Sequence, residues 1–230
     1  MLLAEVDGLE TERAGRLAVQ AAIDAWQGPA SAIADHCERC CQIAREWLFA
    51  TDYSQLNAGH HLMGPRWIRQ RYTWGPTRWP IHWCEALDES TLDCGALAAL
   101  ATAVFLSRGV QACPAQLVQR YTRDDSRHWF RNWELHGAGI SWVKDDLVYH
   151  EASAVMPQGN ELGLWDPTAS WWVNPNQAPG YGEVLALRIL TSDPQQIGHF
   201  RWGAHSIPAN HWHILESDHR DLTMFKSRSA

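Results

Sequence analysis

The chain of 230 residues is 46% hydrophobic and 20% charged, with a net charge of −7. That size supports a single compact core, and the acidic balance argues against a nucleic-acid backbone or an anionic membrane as the main partner, because either favours a basic face. Glu5 and Asp7 interrupt the opening stretch where a secretory signal needs unbroken apolar residues, and no apolar run nears a membrane span, so a cytoplasmic protein is expected.

Leu9, Leu17, Ala18, Ala21 and Trp26 recur at helical spacing and stop at Gly28-Pro29, which predicts an amphipathic helix over 9–26. A second helix is expected from Ser31, with Ile33, Cys37, Cys40, Ala44, Trp47 and Leu48 on one apolar stripe. Residues 1–55 thus read as a helical extension ahead of a catalytic domain over 56–230, the two forming either separate units or one continuous domain. Gly64-Pro65, Gly75-Pro76 and Trp79-Pro80 break any period between 57 and 92, a loop-like stretch. Four of the fourteen tryptophans fall there, Trp67, Trp74, Trp79 and Trp83, and suggest the wall of a groove.

The run CGALAALATAVFLS from Cys94 to Ser107 is apolar on nearly every side, which predicts a helix enclosed by other elements, capped by Asp93, or by Ser90 or Thr91 if it begins slightly earlier, and ending before Gly109. After it the period changes to two. Segments near 112–121, 139–155, 161–166, 183–190 and 199–215 read as strands separated by turn signals, with Asp145-Asp146 as one turn. Helices first and strands afterwards indicate an α+β fold with a mainly antiparallel sheet.

A cysteine is a nucleophile as thiolate, and a helix N-terminus lowers the thiol pKa through its dipole and free N–H groups. Cys94 holds that position, and its own backbone N–H could face an oxyanion. Downstream, VYHEASAVMPQGNELGLWD reads as a hairpin with Pro157-Gln158-Gly159 as its loop. That register sets Ala154 opposite Leu162, Ala152 opposite Leu164 and His150 opposite Asp166, on one face, within reach of a carboxylate–imidazole hydrogen bond. The small side chains of Ala152 and Ala154 leave room on that face for the Cys94 helix. In such an arrangement Cys94 attacks a carbonyl, His150 moves the proton and Asp166 holds the imidazole.

Asp93-Cys94-Gly95 opening an alanine-rich helix, Tyr149-His150-Glu151-Ala152 on a strand and Trp165-Asp166-Pro167-Thr168 on the next together resemble the transglutaminase-like branch of the papain-like cysteine enzymes. The resemblance spans roughly residues 80–190 and implies a papain-like core, with nucleophile, base and acid at Cys94, His150 and Asp166. Where family members often carry a tryptophan beside the nucleophile and after the histidine, this chain has Gly95 and Glu151-Ala152, which leaves the subfamily open. A second oxyanion donor is expected from the tryptophan-rich loop, with Trp83 as candidate, and Trp74, Trp79 and Trp165 as candidates for the substrate cleft.

The six cysteines, at 37, 40, 41, 84, 94 and 113, lack the spacing of a secreted disulfide framework and are expected as reduced thiols. His36, Cys37, Cys40 and Cys41, and the later His199, His205, His211 and His213, are residue types that can bind zinc. A helical stripe and ordinary strand positions account for them, so no metal and no cofactor is expected. The expected activity is cysteine-dependent acyl transfer from a peptide, a side-chain amide or a small amide, with hydrolysis or deamidation narrowly ahead of transfer to an amine. A transglutaminase or an amide synthase of a natural-product pathway is the alternative, although an acidic chain gives no support for docking an acidic acyl carrier. A peptide-binding module without catalysis is the competing class, and nucleic acid and membrane are not expected as partners.

Overall fold

The computed structural model describes residues 16–24, 33, 65–107, 109–135, 143–144, 146–158, 161–176, 181–191 and 199–215. The expected second helix, with Cys37 and Cys40, lies outside these residues apart from Ile33. So does the boundary near residue 55. Helix α1 occupies 16–24, inside the first expected helix. The loop-like stretch contains two short helices, α2 (Trp67–Arg71) and α3 (Trp83–Asp88), and two paired strands, β1 (Thr73–Trp74) and β2 (Thr91–Leu92). Its Gly-Pro and Trp-Pro steps fall between these pieces, which explains why no period runs through it.

Helix α4 covers Cys94–Ser107, as its composition predicts, and Asp93 caps it by accepting the Ala96 N–H at 2.9 Å. The strands that follow are β3 (Gln111–Tyr121), β4 (Val143–Lys144), β5 (Leu147–Gln158), β6 (Glu161–Asp166), β7 (Trp171–Val173), β8 (Tyr181–Ile189), β9 (His199–Trp202), β10 (His205–Pro208) and β11 (His213–Ile214). Helix α5 (Arg123–Leu135) interrupts this run of strands, and no strand-period reading anticipates it. Its start is nonetheless written locally. Thr122 Oγ1 accepts the Asp125 N–H at 3.1 Å and donates to the Asp125 carboxylate at 2.6 Å, a reciprocal cap.

The fold is mixed α+β with a mostly antiparallel sheet, nine-stranded among the described residues, whose main path runs β10-β9-β6-β5-β3-β8-β11, with β6 and β9 parallel. An Ile189–Ala209 bridge and a 2.8 Å bond from the Asn210 N–H to the Ile189 carbonyl bring the far end back against β8, so the sheet curls towards a barrel. Residues opposed in a ladder share a face. Cys113–Ala154 and Ala115–Ala152 therefore point to one side, where they pack with Leu164, Leu187, Ile189, Trp202 and Ile207 inside the curl. Ala112 and Val155 point to the other side and pack with Leu97, Leu100, Ala101 and Val104 of α4.

This corrects the expected seat of the helix. It lies on the Ser153–Val155 face, where Thr102 and Ser153 share a buried 2.7 Å hydroxyl contact, and not on Ala152 and Ala154. Both rows are small enough to receive a helix. The β6, β8, β9 and β10 side chains already fill the alanine side. Among the described residues no helix is long and apolar enough to cross a membrane.

Candidate active site

Short elements converge on the nucleophile. The parallel β1–β2 ladder pairs Thr73 with Thr91 and Trp74 with Leu92, and the Gly75 N–H reaches the Leu92 carbonyl at 3.1 Å, which fixes the chain just ahead of Cys94. The Asp93 N–H donates to Thr77 Oγ1 at 2.7 Å, and the Trp79 indole N–H donates to Asp93 Oδ2. One carboxylate thus caps α4 with Oδ1 and ties the tryptophan loop with Oδ2. Cys94, half-buried, follows as the first residue of α4, where backbone N–H groups have no intrahelical acceptor.

The base and acid come from the hairpin, with a register different from the expected one. Ser153 pairs with Trp165, Ala154 with Leu164 and Val155 with Gly163, and then Gln158 pairs with Glu161 across a bulge. The bulge absorbs Pro157, which has no N–H to give a ladder. The expected Pro157-Gln158-Gly159 loop and the direct opposition of His150 and Asp166 are therefore both displaced, by two positions. A slip of one would have sent the two side chains to opposite faces, whereas a slip of two keeps them together as diagonal neighbours. His150 Nε2 stands 3.1 Å from Asp166 Oδ2, in an ion pair whose alignment falls short of a well-formed hydrogen bond. Asp166 Oδ1 accepts the Thr168 N–H at 2.8 Å and the Ala169 N–H at 3.3 Å.

Cys94 and His150 lie within reach of each other, close enough for each to shift the other's titration. Strand alternation alone does not give this meeting, since His150 shares its side of β5 with Ala152 and Ala154 and the helix lies on the other, but the lengths of the two elements bring them to the same end of the sheet. From Thr102 back to Cys94 the helix covers about 12 Å, and from Ser153 back to His150 the strand covers about 10 Å. With Thr102 seated on Ser153, the start of α4 arrives near His150. Since Nε2 faces Asp166, Nδ1 is the nitrogen left for the thiol.

Burial pulls the His150 imidazole towards its neutral form, but the adjacent Asp166 carboxylate, with Cys94 adding to it, lifts its pKa well above the usual 6.5. Burial likewise raises the Asp166 carboxyl, and here His150 and the Ala169 and Thr168 N–H groups outweigh it and hold the value below normal. For Cys94, burial dominates. It raises the thiol above its ordinary value, aided by the Asp93 and Glu151 charges and opposed by His150. Burial of the sulfur and the two nearby carboxylates thus work against the lowering expected from a helix N-terminus. Asp93 is itself raised by burial against its hydrogen bonds from Ala96, Trp79 and Thr77.

Glu151, on the face that receives α4, is 1% exposed and accepts a hydrogen bond from the Tyr149 hydroxyl. Gln116 donates to that hydroxyl at 2.9 Å and accepts from Arg188 at 3.5 Å, so a polar row crosses β5, β3 and β8 beneath the helix. Sequence reasoning missed this row, although the flanking of His150 by Tyr149 and Glu151 was its readable sign. The remaining candidates divide. Trp79 is half-buried and joined to Cys94 through Asp93, and Trp74 is half-buried with its ring 4.9 Å from Trp133 and 6.4 Å from Trp129. Trp165 is 2% exposed and lies edge-on to Trp172 at 5.2 Å, so it belongs to the core and cannot wall an open cleft. Trp83 is buried in the cluster that contains Leu97 and Leu100 of α4. Among the described residues no group of three or more His, Cys, Asp or Glu side chains could hold a metal ion.

Comparison of the chain with protein-family models, with curated proteins and with solved structures found no match.

Proposed function

We propose that the protein is a cysteine-dependent acyl-transfer enzyme of the transglutaminase-like kind, with a papain-like core formed by α4 and the curled sheet. One observation carries this reading: His150 makes contact with both Cys94 at a helix start and Asp166 on the neighbouring strand. A packing cysteine needs neither partner, and a binding module needs no thiol, base and acid in one line.

With burial holding the thiol above its ordinary value, proton transfer is coupled to attack in this mechanism. Cys94 Sγ adds to the carbonyl carbon of an amide while His150 Nδ1 accepts the thiol proton. The resulting imidazolium is stabilised by Asp166, and the oxyanion faces the N-terminal N–H groups of α4, beginning with that of Cys94. Collapse of the tetrahedral adduct breaks the C–N bond, and His150 returns the proton to the leaving amine. A thioester on Cys94 remains, which water or an amine then attacks with His150 as base. Hydrolysis or deamidation is the narrow preference, and transfer to an amine is the second outcome of the same chemistry.

The test is mass spectrometry of the intact protein quenched during turnover of a panel of amides and activated esters, with and without a primary amine. An acyl adduct on Cys94 is expected, absent in Cys94→Ala and strongly reduced in His150→Ala. A carboxylic acid product against an amide product then assigns the acceptor. Adduct formation that is unchanged in His150→Ala, or no adduct from any donor, would sink the proposal.

A further inference from the structure

The turn that follows Asp166 is held from outside its own hairpin. Residues 167–170 lead from β6 into β7, and Ser170 sits at φ 58°, a left-handed conformation that a residue with a Cβ keeps only when its surroundings impose it. Two attachments are on hand. From within, Asp166 Oδ1 accepts the N–H groups of Thr168 and Ala169. From without, Arg69 Nη1 donates to the Ala169 carbonyl at 3.0 Å, across 100 residues of chain. Arg69 belongs to α2, whose Ile68 is fully buried in the cluster that contains Leu97 and Leu100 of the Cys94 helix.

We infer that Arg69 is a positioning residue that locks the Asp166 turn to the Cys94 helix, and so keeps the carboxylate on the imidazole. The inference rests on the proposed acyl-transfer site for its function, but the lock itself is a structural coupling. The amide of Ala169 reaches the Asp166 carboxylate while the carbonyl of the same residue is pinned by Arg69. Fixing that residue from both sides limits how far the turn can swing. It matters because the 3.1 Å contact of Asp166 with His150 is poorly aligned, and a small rotation of the carboxylate would open it. The exposed position of the guanidinium lets it act as a clamp without being needed in the core.

The sign of one measurement separates positioning from plain electrostatics. Removing the Arg69 charge would, through space alone, make His150 easier to protonate and raise its pKa. Releasing Asp166 from the imidazole would lower it. The experiment follows the His150 imidazole by NMR titration in the full chain, identified by its absence in His150→Gln, for wild type, Arg69→Gln, Arg69→Met, Arg69→Lys and Asp166→Asn. The expected result is a downward shift in Arg69→Gln and Arg69→Met, in the direction of Asp166→Asn and smaller than it. Arg69→Lys, which can still donate to the Ala169 oxygen, keeps the wild-type value. With an acyl donor in hand, kcat should fall roughly tenfold in Arg69→Gln at unchanged KM, as for a misplaced catalytic group. An unchanged or raised His150 titration in both neutral variants would overturn the inference, even if their thermal stability fell. Because the titration needs no substrate, failure to find acyl transfer leaves it readable.

Discussion

Cys94 enters its helix from a stretch of two-residue strands and short helices joined by side chains, whereas His150 and Asp166 stand on a hairpin fixed by backbone ladders. Around the nucleophile, the Asp93 carboxylate receives Ala96 and Trp79, and the Asp93 amide reaches Thr77. Around the base, the β3–β5 ladder alone runs from Gln111–Met156 to Arg120–Leu147. A ladder spreads its strength over many bonds and tolerates the loss of any one side chain. A side-chain junction concentrates it. The nucleophile's region should therefore fail through single polar substitutions that leave the sheet intact, and the hairpin through loss of its buried charges or its packing.

Removal of the base is the largest effect expected. His150→Ala should slow acylation of Cys94 by about 10²–10⁴-fold, read by single-turnover mass spectrometry, with circular dichroism unchanged. Asp166→Asn comes next, and it should act on both stability and pH dependence. Leaving a buried partner uncompensated costs about 3–5 kcal/mol by denaturant unfolding. Because the His150 value in the folded state lies above its ordinary 6.5, the imidazole contributes its full stabilisation below that pH and loses it as the pH rises through the raised value. The Asp166 value lies below its ordinary 3.8, so its contribution is present above that pH and is lost as the pH falls through the lowered value. As a general base, His150 must be neutral, so the rising limb of the pH–rate profile should lie above that of an ordinary imidazole. In Asp166→Asn that limb should move to lower pH while the maximal rate drops.

The two faces of β5 allow a sharper contrast. Ser153→Ala strands the Thr102 hydroxyl under α4 and should cost about 1–3 kcal/mol, whereas Ser153→Ala with Thr102→Val should recover most of that loss. Ala154→Leu on the other face should overpack the interior of the curl by about 1–3 kcal/mol without uncoupling α4, measured by urea unfolding and Cys94 alkylation together. Equal sensitivity of Cys94 alkylation to both would contradict the helix's seat. Smallest is Trp79→Phe, which removes one donor from Asp93 and leaves the other two bonds. It should cost about 0.5–1.5 kcal/mol and alter the Cys94 alkylation rate by less than His150→Ala does.

Thiol reactivity connects the regions. With burial, Asp93 and Glu151 raising the Cys94 thiol and His150 opposing them, alkylation should gain rate only above the ordinary thiol range, and later still in His150→Ala. A reactive phase well below pH 8 would show instead that the helix N-terminus overrides its enclosure.

Much of this was legible residue by residue. The extent of α4 followed from an uninterrupted apolar run, the β6 bounds from a short segment closed by Asp166-Pro167, and the shared face of His150 and Asp166 from a strand period of two. The register itself was misread because Pro157-Gln158-Gly159 is good turn chemistry, and a proline can equally be hidden in a bulge. Helix α5 was passed over among strands although Thr122 and Asp125 spell its cap. The tryptophans were the least readable, since Trp79, Trp83 and Trp165 look alike in sequence and differ only in what surrounds them.

What the sequence by itself determined was periodicity and local chemistry: an enclosed helix beginning at Cys94, a capping carboxylate at Asp93, and a base and an acid on neighbouring strands with matching parity. Parity survives a two-residue slip, which is why the pairing held while the register did not. Only the tertiary structure decided which face of β5 received the helix, because both rows are small and the occupant of the opposite face comes from strands far along the chain. Only it decided the direction of the thiol shift as well. A dipole is local to a helix, but burial and the charges of Asp93 and Glu151 depend on what the rest of the chain places around the sulfur.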